Sequence, residues 1–261
     1  MIPRRPVSVQ SLGGGLGALA LAALLAGCAA TPMRADDPFE PANRVSYKVH
    51  EVVDGNFVKP IAQAYVDYTP KPIQKAIGNF FGNIDDVFSV INDFLQGKLD
   101  KAGNDMGRVM LNTGFGIGGL IDIASDAGIP KGNEDFGQTL GVWGFPQGPY
   151  LFIPLFGPTT VRDGSGSLVR IYLGPIGYLP DVPLRNTLYG LGGLDARASV
   201  LGAQKLAEQA ALDPYAFIRR AYLQRREYLV RDGHRPRPKD DDGDAPDKNG
   251  GRKAPPDKDA K

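Results

Sequence analysis

Residues 136–161 run for 26 positions without a charged side chain, long enough to cross a bilayer, yet they hold five glycines and four prolines. Proline removes a helical N–H and clashes with the preceding turn, so this segment is excluded as an ordinary spanning helix. Two shorter stretches, 109–121 and 171–180, are likewise apolar and rich in glycine. In lipid every backbone N–H and C=O needs a partner, so broken backbone at membrane depth must be covered by protein or line a wet cavity. Two readings are open: a body immersed at a membrane surface whose irregular segments shape a passage, or apolar loops packed over a water-soluble helical core.

Helical signals flank these segments. Residues 38–68 place Val45, Val49, Val52 and Val53 at helical spacing, and Thr69 with Pro70 reads as the start of a further helix. Next, Ile84, Val87, Phe88, Ile91, Phe94 and Leu95 share one face, Asp85, Asp86 and Asp93 fall away from it, and Gly97 is a stop. Asp100 reads as the start of a helix carrying Ala102, Met106, Val109 and Met110 to about Leu111. Near the other end, Asp213 caps a helix with Pro214 in its first turn and Tyr215, Ile218, Ala221 and Tyr222 on one face, through about Val230. Two-residue alternation is scarce, so the expected fold class is all-α with irregular Gly/Pro-rich connections.

The first 27 residues read as a cleavable export signal. Arg4 and Arg5 precede an apolar run, 12–25, shorter than the roughly 20 residues a span needs. The run ends in Leu25-Ala26-Gly27-Cys28, where small residues suit a peptidase groove and the chain's single cysteine stands at the position acylated in bacterial lipoproteins. At about 0.8 kcal/mol per buried methylene, three acyl chains make desorption negligible. Ala29 lacks the aspartate that commonly retains such proteins at the inner membrane, which favours the outer membrane, and the anchor itself favours the membrane-contact reading. Residues 28–37 then read as an acylated linker, 38–230 as one helical domain, and 231–261 as a disordered tail with nine Lys/Arg, eight Asp and five Pro. Without residues 1–27, 28 Lys/Arg stand against 29 Asp/Glu, so no nucleic-acid partner is indicated.

Catalytic constellations are weak. Residues 114–119 match GxGxxG, with Asp135 downstream, but helix precedes them where dinucleotide binding requires a strand. The two histidines, His50 and His234, cannot form a histidine metal site, there is no G-x-S-x-G elbow, and Asp85 and Asp86 diverge by about 100° on a helix. No enzyme activity, metal or cofactor is expected.

Eight segments in order resemble the MlaA (VacJ) family of outer-membrane lipoproteins: DPFEPANR (37–44), PIAQAY (60–65), NFFGNI (79–84), NDFLQGK (92–98), NTGFGIGGLIDIA (112–124), EDFGQTLGVWG (134–144), GPYLFIPLFGPTTVRD (148–163) and DPYAFIRRAYLQRREYL (213–229). The segment YKVHEVVDGNFVKP (47–60) departs from the family pattern, which tends to asparagine and aromatic residues there. The resemblance implies a ring- or horseshoe-like helical domain embedded in the inner leaflet of the outer membrane, facing the periplasm, with an amphipathic channel. It also implies retrograde transport: phospholipids misplaced in the outer leaflet pass through the channel to a soluble periplasmic carrier of the MlaC type, beside a trimeric porin and with no cofactor. By motif match, Asn112, Phe115, Ile117, Leu120 and Ile121 are expected near the lipid path, and residues 150–156, with Tyr150, Phe152 and Phe156, as a gating or membrane-contact loop. The competing expectation is a non-transporting lipoprotein that scaffolds a porin or envelope complex.

Overall fold

The computed structural model describes residues 37–234. The expected export signal, Cys28 and tail residues 235–261 lie outside them. The fold is mostly helical, with one two-stranded hairpin. Helix α1 (Glu40–Val53) passes through a wide π turn (Asp54–Val58) into α2 (Lys59–Tyr68). Pro60 explains the wide turn, because it has no N–H to return to the carbonyl four residues earlier.

Thr69 does not start a helix. It ends α2 in an extended conformation, as a residue before proline must, and α3 (Lys71–Gln96) begins after Pro70. The Gln74 amide donates to the Val66 and Thr69 carbonyls and so closes the end of α2. α3 stops at Gly97, whose φ of 74° is left-handed, and α4 (Leu99–Gly114) follows, with Asp100 in its first turn and Lys98 at its cap position.

Short α5 (Ile123–Asp126) is capped by Asp122, and α6 (Phe136–Val142) by Asp135. The uncharged stretch then forms strands β1 (Tyr150–Ile153) and β2 (Gly157–Thr160), antiparallel with Tyr150 opposite Thr160. Helix α7 (Val161–Leu173), a 3-10 turn (Pro175–Tyr178), α8 (Val182–Ala210) and α9 (Pro214–Val230) complete the chain. No described helix is long and apolar enough to cross a membrane.

The packing closes on itself. α1 meets the hairpin, the hairpin meets α9, and contacts continue through α6, α3, α8 and α2 back to the π turn and α1. What sits inside is unusual. Among the described residues six hydrophobic side chains are buried against eighteen polar or charged ones, the reverse of a water-soluble core. On α3 the buried residues are Gly82, Asn83, Asp86, Ser89, Asn92 and Asp93, while Val87, Ile91 and Phe94 are 41%, 47% and 51% exposed. The apolar face identified in the sequence is therefore turned outward. α1 repeats this with exposed Val45, Val49 and Val52, and α4 with exposed Leu99, Met106 and Met110.

Candidate functional site

The polar interior is a built framework. Arg108, 1% exposed, spends all five N–H donors: Nε on Asp86 (3.0 Å), one terminal nitrogen on Ser125 and the Ile129 carbonyl, the other on both oxygens of Asp122. It thereby ties α3, α4 and α5 together. Asn112 adds to this, donating to Asp122 (2.9 Å) and accepting from the Ala124 N–H (2.9 Å). A second node ties the last helix to the middle of the chain. Arg226 on α9 pairs with Asp135 and Asp163, and the Tyr222 hydroxyl donates to Asp163. In a third, buried Asp37 accepts from Asn43, Tyr215 and Arg219. Asn43 also donates to the Tyr150 carbonyl and accepts from the Phe152 N–H, acting as a strand partner for β1.

Over the Arg108 node lies the glycine-rich turn after α4. The N–H groups of Gly116, Gly118 and Gly119 donate to the chain's own carbonyls at Leu111, Thr113 and Asn112, so they are not a cradle for a dinucleotide phosphate. Ile117 adopts φ 53°, a left-handed conformation that a β-branched residue rarely takes. Any Cβ on Gly116 would sit 2.1 Å from the Ile121 carbonyl, and one on Gly119 would sit 2.7 Å from Asn83. The turn thus lies directly against α3, with its apolar side chains outward.

Of the residues expected on the lipid path, Phe115, Ile117, Leu120 and Ile121 are exposed on this turn, and Asn112 is buried beneath it. Tyr150 and Phe152 do not stand on a loop. They are strand residues packed with Tyr215 in the small aromatic core, against Tyr47, Ile218, Tyr222 and Leu223. Phe156, 81% exposed, stands at the hairpin tip, which His50 steadies by accepting from the Leu155 N–H (3.2 Å).

Sequence reasoning passed over Arg108, Asp122 and Arg226, although Asp86, Ser89 and Asp93 lie at helical spacing on the face opposite the apolar one. It also passed over a pair of facing carboxyls. Asp93 and Asp105 are both buried, and burial together with the negative charges of Asp105 and Glu134 pushes Asp93 up to about 7.

The close turn yields a comparison of two alanine variants. Gly118→Ala has only its left-handed φ of 67° to pay for and open space around it, which is expected to cost about 1–2 kcal/mol. Gly119→Ala adds the clash with Asn83, expected to cost a further 1–3 kcal/mol, about the cost of overpacking. Denaturation midpoints in mild detergent check this; equal midpoints would mean that the turn does not press on α3.

Comparisons with known proteins agree over this whole region. The MlaA lipoprotein family model matches residues 35–229. The intermembrane phospholipid transport system lipoprotein MlaA of Escherichia coli K12 is 36% identical over 227 residues, covering 84% of this chain and 89% of that protein. The protein of the same name from Haemophilus influenzae is 35% identical over 202 residues, with 76% and 80% covered. A solved structure described under "Structural basis for maintenance of bacterial outer membrane lipid asymmetry" superposes with a TM-score of 0.66 at 32% identity, covering 74% of this chain and 98% of that one. With the motifs, the helical architecture and these likenesses in agreement, the chain belongs to the MlaA lipoprotein family.

Proposed function

We propose that this protein is a transport lipoprotein of the outer membrane that removes phospholipids misplaced in the outer leaflet and passes them toward the inner membrane. The observation that carries this is the inverted burial: apolar faces of α1, α3 and α4 outward, a polar framework within. A body of that kind is solvated by acyl chains outside and offers a hydrated route for headgroups inside. The membrane geometry follows from lengths. α3 has 26 residues, about 39 Å of helix, whereas one leaflet offers about 15 Å of hydrocarbon. A body held in one leaflet therefore lays this helix obliquely, with the band from Val87 to Phe94 in the acyl region.

Acyl chains on Cys28 would hold the domain at the inner leaflet, facing the periplasm. Phe115, Ile117, Leu120 and Ile121 would border the lipid path, with Asn112 bracing the turn and Phe156 contacting the bilayer at the hairpin tip. A trimeric porin would stand beside it, and a soluble MlaC-like carrier would receive the lipid. Names of the relatives, which speak of intermembrane phospholipid transport, support this reading.

The test is a deletion strain. Loss of the protein is expected to put phospholipid in the outer leaflet, measured by labelling surface-exposed headgroups, and to sensitise cells to detergent. Cys28→Ala is expected to reproduce both. A deletion strain with normal surface labelling would exclude transport, and loss of a porin complex with asymmetry intact would indicate a scaffold.

A further inference from the structure

Asp105, with Asp93 buried behind it, borders an open space on one side. A cavity of about 300 Å3 lies between α4, residues 130–134 and the end of α9, with Lys101, Asp105, Lys131, Glu134, Tyr228 and Asp232 among its lining. Asp105 is 2% exposed; its Oδ1 accepts the Gly132 N–H, while no N–H or hydroxyl reaches its Oδ2. Behind it, Asp93 is fully buried with no N–H on either oxygen, and it lies within hydrogen-bond reach of Asp105, so a proton shared between the two carboxyls holds the pair. Buried carboxylates without donors are costly, and either a proton or an entering cation relieves them.

The cavity's chemistry selects among cations. Among the described residues no group of three or more His, Cys, Asp or Glu is arranged to hold a metal ion. An N–H donor suits oxygens with vacant lone pairs, so a primary ammonium fits and a quaternary one does not. Positive charge borders the same space. Lys98 (3.1 Å) and Lys101 (3.4 Å) both reach Glu134, both also pair with Asp232, and Lys131 stands 3.9 Å from Asp86. A ligand with an ammonium at one end and a phosphate at the other therefore meets its complement at both. The volume is at the small end for ligand pockets and suits a headgroup without its acyl chains. Those chains would remain outside, since Leu99, Met106 and Met110 occupy the outward face of the same helix.

We propose that this cavity binds a phosphoethanolamine group, the primary ammonium against Asp105 and Glu134 and the phosphate against Lys101 and Lys131. The group comes from a phospholipid or from a soluble ester; the recognising chemistry is the same. Binding is linked to protons. Facing the Asp93–Asp105 pair are Glu134, which carries Lys98, and Lys101, with Asp86 and Arg108 beyond, and burial keeps a proton on the pair near neutral pH. An arriving ammonium favours loss of that proton, so affinity rises with pH through that range.

Calorimetry on the full chain in mild detergent tests this with O-phosphoethanolamine, phosphocholine, ethanolamine and inorganic phosphate, in two buffers of different ionisation enthalpy. O-phosphoethanolamine is expected to bind at least about tenfold more tightly than phosphocholine, with proton release. Asp105→Asn is expected to lose about tenfold, and Glu134→Gln serves if that variant does not fold. Lys101→Ala is expected to weaken the phosphate-bearing ligands and not to weaken ethanolamine, because it also frees Glu134 of a competing ammonium. Equal binding of the two esters, or full binding by a folded Asp105→Asn or Glu134→Gln variant, overturns the site. Competition by nanodiscs of phosphatidylethanolamine but not phosphatidylglycerol identifies a lipid as the source; competition by neither, with the soluble ester bound, identifies the ester. A protein that moved no lipid would still show this binding, so the site and the transport reading fail separately.

Discussion

Arg108→Met is expected to destabilise the protein by about 3–5 kcal/mol, seen as a large fall in the guanidinium midpoint in detergent and as low levels in cells. Methionine fills similar space, so the loss is electrostatic rather than a cavity. Asp86 is 1% exposed and Asp122 partly buried, and each would be left with a charge facing an apolar side chain. Burial alone would raise the Asp122 carboxyl, but hydrogen bonds from Ser125, Asn112 and Arg108 overcome this and hold it below the usual carboxylate range. Asp86 is already raised, by burial, and loses its one close guanidinium partner. Lysine at position 108 is expected to rescue poorly, because one ammonium cannot serve five acceptors spread over α3 and residues 122–129. Two comparisons isolate the cause. Arg170→Met breaks the exposed pair with Asp85 and is expected to cost less than about 1 kcal/mol. Adding Asp86→Leu to Arg108→Met removes one of the stranded charges and is expected to recover part of the loss; an Arg108→Met protein as stable as the parent would mean that the node does not hold the three elements.

The sequence exposes α3 as an amphipathic helix ending at Gly97, yet it does not tell which face is inside. Periodicity defines two faces and carries no sign; burial of Asp86, Ser89 and Asn92 depends on Arg108, Glu134 and Thr139 arriving from elsewhere. α8 has no comparable signal, since its apolar residues surround the helix and Gly190, Gly192 and Gly193 interrupt it. Its place is set by close approach instead, for a Cβ on Gly192 would lie 2.9 Å from the Phe81 ring. The hairpin has strands of four residues, too short for alternation to stand out beside Pro154 and Pro158, and its inner edge is completed by Asn43 from more than a hundred residues away. That is why Tyr150 and Phe152 read as loop residues and turn out to be packed. The glycine turn was legible because its outward residues, Phe115, Ile117, Leu120 and Ile121, fall within the motif itself. The framework beneath it was not, because its partners are scattered along the chain.

Replacing Val87 and Ile91 with aspartate decides whether the outward apolar face lies in lipid. Both are more than two-fifths exposed and sit four residues apart on the same face of α3, so in water their replacement disturbs no core and is expected to change stability by no more than about 0.5 kcal/mol each. In the acyl region each aspartate costs about 2.5–3.5 kcal/mol, so the pair costs about 5–7 kcal/mol of membrane affinity, a factor of several thousand or more. Because lipid chains on Cys28 would retain the protein whatever the helix does, flotation on vesicles is measured on protein made without residues 1–28, where only the body can hold the membrane. There the double variant is expected to stay in the soluble fraction while its parent floats. With Cys28 restored, the variant is expected to accumulate normally yet leave outer-leaflet phospholipid as high as in the deletion strain, because an anchored domain lifted from the leaflet no longer meets its substrate. Asp85→Asn, a polar position on the same helix with a half-exposed side chain, is expected to change neither measurement. A double variant that floats and supports normal asymmetry would place this face in water or against protein, and the inverted burial would then need a covering partner instead of a bilayer.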